Sequence, residues 1–278
     1  MQYCDLHTHS DHSDGTCTPA EVIQLAKEAG LRAVALCDHN TVSGLPEFLA
    51  AAEGIEAIAG TEFSVDHKGT ELHVLALYLK PEDYDAVTAR TEKFLQDKEQ
   101  SNIDLCKALT GAGYPLDYEK IKAATIDGFV NRAVIGAEMV RLGYVESVQQ
   151  GFKTLLSQKH GYYKPPVRPD VFETIRFIKS LGAVAVLAHP FLNLSRQELE
   201  AFLPVAVEAG LDGMEVLYSK YSSEQTQAAF ELAEKYGLLP SGGSDFHGEN
   251  KPDIAVGTGR GGLKIPYDWA WQIKLKKS

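Results

Sequence analysis

Nine histidines are spread along this chain of 278 residues, and six of them stand, with three carboxylates, at the ends of short apolar runs. His7 and His9 stand two apart in an apolar-flanked run that reads as a strand. Alternate strand residues share a face at a spacing of roughly 7 Å, so both imidazoles can reach one cation. Asp14 follows in Ser13-Asp14-Gly15-Thr16, and Asp38-His39 ends the apolar run 34–37. Glu62 comes after a Gly60-Thr61 step, His73 opens a run of apolar residues, and His189 is fixed by Pro190. Asp245 and His247 flank Phe246 after Ser241-Gly242-Gly243-Ser244. A lone strand histidine is more often a satisfied core residue than a ligand. Six histidines and three carboxylates at the ends of strands are different, because burying that many ionisable groups without counter-ions costs several kcal/mol each. Divalent cations remove that cost, so the pattern points to metal-ion chemistry. His12, His67 and His160 lie in polar loops and read as ordinary surface residues.

Alternating elements are needed to carry these clusters. Strands are expected over 3–9, 33–37, 56–59, 62–65, 72–78, 183–188, 213–217 and 239–241. Helices are expected over 19–29, 43–52, 170–181 and 224–236, and Ser195-Arg196-Gln197-Glu198 caps another. Thr18-Pro19-Ala20-Glu21 has the form of a capping box with proline at the first helical position, and Gly30 supplies a left-handed stop. Continuous apolar strands between amphipathic helices imply a parallel sheet covered on both faces, and at this length a (β/α) barrel is favoured over an open doubly wound sheet. Polar side chains at the C-terminal ends of such strands are where barrel active sites lie. His73 does not fit, because it stands at the start of its strand; either that strand is reversed or its boundary is misplaced.

The rhythm breaks between residues 90 and 168. Helices are expected over 90–110, 131–142 and 147–156 with no strand between them, and Pro165-Pro166 stops any helix at the end. The expected organisation is therefore a barrel from residues 1–89 plus 169–278, with a small helical insertion at 90–168 covering the active-site mouth.

Bulk composition narrows the partners. The chain carries 27 basic and 38 acidic residues, a formal net charge of −11. No basic track exists to neutralise successive phosphates, so long nucleic acid is an unsuitable partner. An acidic protein can still bind a phosphorylated small molecule where divalent ions reverse the local field. No apolar run approaches the ~18 residues needed to span a bilayer. Cys4, Cys17, Cys37 and Cys106 show no close pairing and no CxxC, as expected of reduced thiols. No segment reads as a signal peptide, and the expected location is the cytoplasm. Oligomeric state is not legible.

The joint pattern resembles the PHP family, named for polymerase and histidinol phosphatase. The matching segments are Asp5-Leu6-His7-Thr8-His9-Ser10, Ser13-Asp14-Gly15-Thr16 and Ala35-Leu36-Cys37-Asp38-His39-Asn40-Thr41. Gly60-Thr61-Glu62, Leu72-His73-Val74-Leu75, Ala188-His189-Pro190 and Ser244-Asp245-Phe246-His247 follow in order. The resemblance runs from Asp5 to about residue 259 and is nearest to small stand-alone bacterial phosphoesterases of nucleotides and short oligonucleotides. It implies a distorted (β/α)7 barrel with two or three divalent ions in its mouth. One ion would take His7, His9, Glu62 and Asp245, which would also hold the attacking metal-bound water. A second would share Glu62 and add His73 and His189, and a third would use Asp14, His39 and His247. Mixed imidazole and carboxylate ligation suits Mn²⁺, Zn²⁺ or Fe²⁺ better than Mg²⁺. Asp38 either orients a ligand imidazole from behind or caps a turn. Glu215 matches a recurrent family glutamate that is not expected to ligate.

The resemblance also implies substrate contacts in the insertion. Arg132 stands where relatives carry an arginine that grips phosphate, and guanidinium suits that role. Relatives carry a histidine two residues on, where this chain has Val134. Lys164, beside Tyr162 and Tyr163, is a second candidate. The expected activity is metal-dependent hydrolysis of a small phosphate ester, such as a nucleoside mono- or bisphosphate or a short oligonucleotide. Two other readings compete. An amidohydrolase-type barrel also begins with HxH but fits the Asp-His-Asn and Asp-x-His motifs poorly. A non-catalytic metal-stabilised module would be expected to have lost ligands, and none is missing here.

Overall fold

The computed structural model describes residues 2–125 and 130–277. These fall into two compact units, Met1–Thr88 with Arg168–Ser278, and Ala89–Val167.

The first unit is built on an eight-stranded sheet. Strands β1 (Tyr3–Thr8), β2 (Ala33–Leu36), β3 (Glu56–His67), β4 (Thr70–Leu77), β5 (Val184–Ala188), β6 (Gly213–Tyr218) and β7 (Leu239–Gly243) lie side by side in chain order, and the two-residue β8 (Ile265–Pro266) pairs with the free edge of β1. The sheet nearly closes on itself. Just past the end of β7, Asp245 N donates to His7 O at 2.9 Å and His9 N donates to Phe246 O at 3.0 Å. Gly243 lies so close to β1 that a Cβ there would stand 2.1 Å from His7 Cβ. Only a residue without a side chain permits that approach.

Both faces of the sheet are buried, and alternation along the strands divides the core. Val34 and Leu36 of β2, with Val74 and Ala76 of β4 and Ala185 and Leu187 of β5, pack against helices α1 (Pro19–Glu28), α2 (Leu45–Ala50), α7 (Val171–Ser180), α8 (Arg196–Glu208) and α9 (Ser223–Tyr236). The residues between them, Ala33 and Ala35, Leu75 and Leu77, Val184 and Val186, form a second cluster with Ala270 and Ile273 of α10 (Tyr267–Lys274). Small residues on β2 leave room for larger ones opposite, as a packed barrel interior requires. The C-terminal helix closes the end at which β1 begins, where Tyr267 N donates to Gln2 O at 3.0 Å and Tyr78 OH donates to Ala270 O at 2.8 Å. The opposite end is left for the histidines.

The expected all-parallel sheet is corrected at two strands: β8 runs antiparallel to β1, and β4 is reversed within the sheet. β4 runs antiparallel to both β3 and β5. The two strands expected over 56–59 and 62–65 are one twelve-residue strand, which turns back through Lys68 (φ 52°) and Gly69 (φ 85°) into β4. Positive φ at both central residues is the hairpin turn that matches strand twist. The reversal resolves the position of His73: it pairs with Ala188, so the start of β4 meets the end of β5 beside His189.

The second unit is helical. The end of α3 (Tyr84–Gly111), which begins in the first unit, is followed by α4 (Tyr118–Ala123), α5 (Arg132–Arg141) and α6 (Val148–Lys153). Their core includes Leu105, Leu109, Ile121, Ile135, Met139 and Leu156. The helix expected over 147–156 stops at Lys153, where Thr154 leaves the helical region at φ −122°, ψ −106°.

Candidate metal centre

Glu62 is the hub of a buried polar cluster at the open end of the sheet. Its Oε2 lies 3.1 Å from His7 Nε2, 3.2 Å from His9 Nε2 and 3.2 Å from His39 Nδ1. Its Oε1 lies 2.8 Å from His73 Nδ1 and 3.0 Å from His189 Nε2. One carboxylate thus faces five imidazoles, three on one oxygen and two on the other. Asp14 joins from the loop after β1, 3.1 Å from His247 Nε2, 3.7 Å from His39 Nε2 and 3.9 Å from His9 Nδ1. Asp245 Oδ1 stands 3.4 Å from both His9 Nε2 and His247 Nδ1.

All nine residues singled out in the sequence therefore meet in one network, with His9 and His39 each close to more than one of the expected sets. Potential ligand atoms gather as His7, His9 and Glu62; as His39, Glu62 and His73; and as His9, Asp14, His39 and His247. His39 leans toward Glu62, and His9 reaches both ends. Among the described residues, three of the five non-glycine residues with positive φ sit in or beside these motifs: Asn40 (56°), His189 (26°) and Asp245 (56°). Such backbone costs about 1–3 kcal/mol per residue and persists where surrounding structure forces it.

The supporting side chains explain how the imidazoles are aimed. Glu215 Oε1 takes His7 Nδ1 at 3.0 Å, which turns the Nε2 lone pair toward Glu62, and Glu215 Oε2 accepts from His189 N at 2.6 Å. Glu215 thereby orients one imidazole and the loop of another. Asp38 touches no imidazole: it accepts from Ser10 N at 2.8 Å, Ser10 Oγ at 2.6 Å and Ser13 Oγ at 2.6 Å. Of its two expected roles, it performs the turn-ordering one. Asp5 closes the barrel, accepting from Gly257 N at 2.7 Å and Ser244 N at 2.9 Å. His73 is backed by Glu71, 3.5 Å from its Nε2, and Arg168 Nη2 donates to Glu71 at 2.6 Å.

Sequence reading missed two neighbours of Asp245. Tyr218 OH donates to its Oδ2 at 2.7 Å, and Lys251 Nζ donates to the same oxygen at 2.6 Å. Neither belongs to a His-rich motif. The one available signal was proximity in sequence, since Lys251 follows His247 by four residues.

Charge in the cluster is strongly coupled. Burial drives the His7 imidazole toward its neutral form, but Glu62 and Glu215 outweigh it and hold its pKa well above the ordinary range. His9 is raised to about 9 and His73 to about 10, each against the pull of burial, the first by Asp245 and Glu62 and the second chiefly by Glu62. Burial opposes ionisation of Glu62, Asp14 and Asp245 too, yet surrounding imidazoles hold each carboxyl well below its usual range. Without a cation, protons on His7, His9 and His73 would balance the carboxylates, while burial holds His39 well below the ordinary imidazole range.

The donor set fits divalent transition metals. His7 Nε2 and His9 Nε2 face each other at 3.0 Å. Among the described residues, Glu62 Oε2, His9 Nδ1 and His39 Nδ1 are buried without a hydrogen-bond partner. Buried polar atoms are rarely left so, and a cation would satisfy converging lone pairs of this kind. Mixed nitrogen and oxygen donors suit Mn²⁺, Zn²⁺ or Fe²⁺.

The substrate candidates lie in the helical unit and have local partners. Asn131 caps α5, accepting from Val134 N at 2.9 Å. Arg132 donates to Leu156 O at 3.3 Å and stacks over the Tyr163 ring at 4.1 Å from its centroid. Val134 is half-buried against the unit's core. Lys164 is exposed. Of the remaining histidines, His12 pairs with Ser43 Oγ at 2.7 Å, His67 packs on Phe172 and Phe202, and His160 is exposed.

A family model for the PHP domain matches residues 5–163. A 5′-3′ exoribonuclease of Haemophilus influenzae is 32% identical over 250 residues, covering 87% of this chain and 89% of its own. A 3′,5′-nucleoside bisphosphate phosphatase of Chromobacterium violaceum is 28% identical over 260 residues, covering 91% of each chain. The crystal structure of a protein provisionally described as a metal-dependent phosphoesterase, from Bifidobacterium adolescentis, superposes with a TM-score of 0.86 at 28% identity, covering 100% of this chain and 97% of the other. With these likenesses added to the motifs and the barrel that gathers them, the chain belongs to the PHP domain family.

Proposed function

We propose that this protein is a metal-dependent phosphoesterase that hydrolyses a small phosphorylated substrate, most suitably a nucleoside mono- or bisphosphate or a short oligonucleotide. The observation that carries the reading is the Glu62 hub, with five imidazoles around one buried carboxylate and donor atoms left bare. The ligands proposed are His7, His9, Asp14, His39, Glu62, His73, His189, Asp245 and His247, holding two to three Mn²⁺, Zn²⁺ or Fe²⁺ ions. Bound ions of this kind would neutralise charge on the phosphoryl oxygens and activate a water nucleophile.

The chain's own residues prepare for that chemistry. Glu62 offers its two oxygens to two different sets of histidines, as a ligand shared between ions must. Glu215 fixes the His7 tautomer so that Nε2 stays available. Tyr218 and Lys251 hold Asp245 Oδ2, leaving Oδ1 turned toward His9. No serine or cysteine nucleophile is needed.

Substrate size rests on charge and on the relatives. A chain of net charge −11 lacks the means to grip a long polyanion, and the relatives described above act on a nucleoside bisphosphate and on RNA ends. Arg132 and Lys164 are proposed as phosphate contacts on motif resemblance, with Val134 in place of the family histidine leaving the choice of leaving group open. The four cysteines are free thiols, which supports a working location in the cytoplasm. The reading is tested by comparing kcat/KM for a nucleoside monophosphate, a 3′,5′-bisphosphate, a short oligonucleotide and a long RNA. Chelator-sensitive hydrolysis that favours one of the first three supports it; preference for the long strand, or insensitivity to chelation, contradicts it.

A further inference from the structure

We infer that Lys251 is a phosphate-binding residue of the barrel itself, a cation placed against the metal centre to hold an oxygen of the substrate's phosphoryl group. The inference rests on the proposed phosphoesterase reading and adds a contact that the metal motifs do not contain.

The loop that carries Lys251 is built to fix it. It leaves β7 through Asp245 and His247 and makes a tight turn at Gly248–Asn250. Glu249 N donates to Thr16 Oγ1 at 2.9 Å and Asn250 Nδ2 donates to Asp14 O at 2.8 Å, which binds this turn to the Asp14 loop. Gly248, at φ 63°, packs so tightly on Thr16 that a Cβ would stand 2.1 Å from its hydroxyl. Lys251 N then donates to Gly248 O at 3.1 Å. A lysine is normally a flexible surface charge with much rotamer entropy to lose. Here its backbone is held in place by the same loop that supplies Asp14.

Its ammonium group has capacity left over. Lys251 Nζ donates to Asp245 Oδ2 at 2.6 Å, and that oxygen already accepts from Tyr218 OH at 2.7 Å. Asp245 Oδ2 is satisfied by the tyrosine alone, so the lysine is not needed to spare a buried acceptor. An ammonium has three N–H donors, and the contact with Asp245 uses one. The side chain is 24% exposed, against 4% for Asp245, so the remaining donors are reachable from solvent. Lys220, on the loop after β6, lies within electrostatic range of both Lys251 and Asp245. Arg260 and Asp253 lie within the same range of Lys220 and pair with each other, which leaves two ammonium groups to the one Asp245 carboxylate, a balance that suits an anion. The oxygens of a phosphoryl group held at the metal centre meet that need.

The experiment uses metal-loaded full-length protein, with inorganic phosphate as the probe in a calorimetric titration. Lys251→Met and Lys251→Arg are compared with wild type, and bound metal is measured on each sample. Loss of a charge-assisted contact should weaken phosphate binding by roughly ten- to a hundred-fold in Lys251→Met, with metal content unchanged and KM rising more than kcat falls. Lys251→Arg should recover part of the affinity. Phosphate affinity within twofold of wild type in Lys251→Met overturns the inference. So does a loss that follows lost metal, which would make Lys251 only a support for Asp245. Wild-type protein that binds no phosphate overturns it as well. If wild type binds phosphate through Lys251 but hydrolyses no ester, the phosphoesterase reading fails while the binding role stands.

Discussion

The polar residues picked out at the rim of the barrel and the arginine picked out in the helical unit stand in opposite surroundings. At the rim, His9 Nδ1, His39 Nδ1 and Glu62 Oε2 are buried and bare, and their neighbours point at one another. In the helical unit, the arginine picked out from the sequence is occupied at home, with its guanidinium on the Tyr163 ring and one donor on Leu156 O. Unsatisfied polar atoms cost free energy in the folded chain, and a bound cation would relieve a cluster of them. A satisfied residue has no such cost to relieve. The contrast separates the metal proposal, which has a physical imprint, from the Arg132 proposal, which has only a motif.

The largest expected effect is at the hub. Glu62→Gln keeps the shape but removes the charge that five imidazoles face, and it should cost most of the bound metal and all measurable hydrolysis. Glu215→Gln leaves every proposed ligand in place and should lower metal affinity by roughly 10–100-fold. Equal losses in the two variants, by elemental analysis and activity, would deny Glu62 its special position.

A second test uses protons in place of metal. His9 and His73 keep their protons in the metal-free protein up to about pH 9 and about pH 10, whereas an unfolded histidine releases its proton near pH ~6.5. These raised pKa values contribute stability that is complete below the unfolded value and lost as pH rises through the folded ones. Metal-free protein should therefore fall in Tm between about pH 7 and pH 10, and metal-loaded protein should fall less, because its imidazoles are already deprotonated ligands. A flat Tm for the metal-free protein over that window would contradict the coupling described at the rim.

The smallest effect is expected in the helical unit. Arg132→Ala should raise KM by about tenfold if the guanidinium grips phosphate, since a planar fork stacked on one face still has N–H groups to offer. A fall in stability of roughly 1 kcal/mol with unchanged KM would reduce Arg132 to the packing role visible in its own unit.

The rim was legible in the sequence because its residues occur in pairs and triplets at fixed spacing. His7 with His9, Asp38 with His39, and Asp245 with His247 each sit where a strand ends, so placing the strand places the side chains. Asp38 shows the limit of that reading: adjacency to His39 suggested an imidazole partner, but its side chain turns back to Ser10 and Ser13. The reversal of β4 was also available. The connection between residues 65 and 72 is far too short for a parallel crossover, which needs a dozen or more residues, and a Lys68-Gly69 hairpin is the remaining solution. What could not be read was the set of partners brought by distant elements. Glu215 reaches His7 from 208 residues away, and Tyr218 and Lys251 converge on one oxygen from different loops.

The most direct measurement is a titration of chelator-stripped protein with Mn²⁺ or Zn²⁺, following stoichiometry, proton release and return of phosphoesterase activity on one sample. Two to three ions per chain should bind, protons should be released near neutral pH as the imidazoles give up theirs, and hydrolysis should return in step with occupancy. Fewer than one ion bound per chain, or hydrolysis that survives complete stripping, would contradict a metal centre built on Glu62.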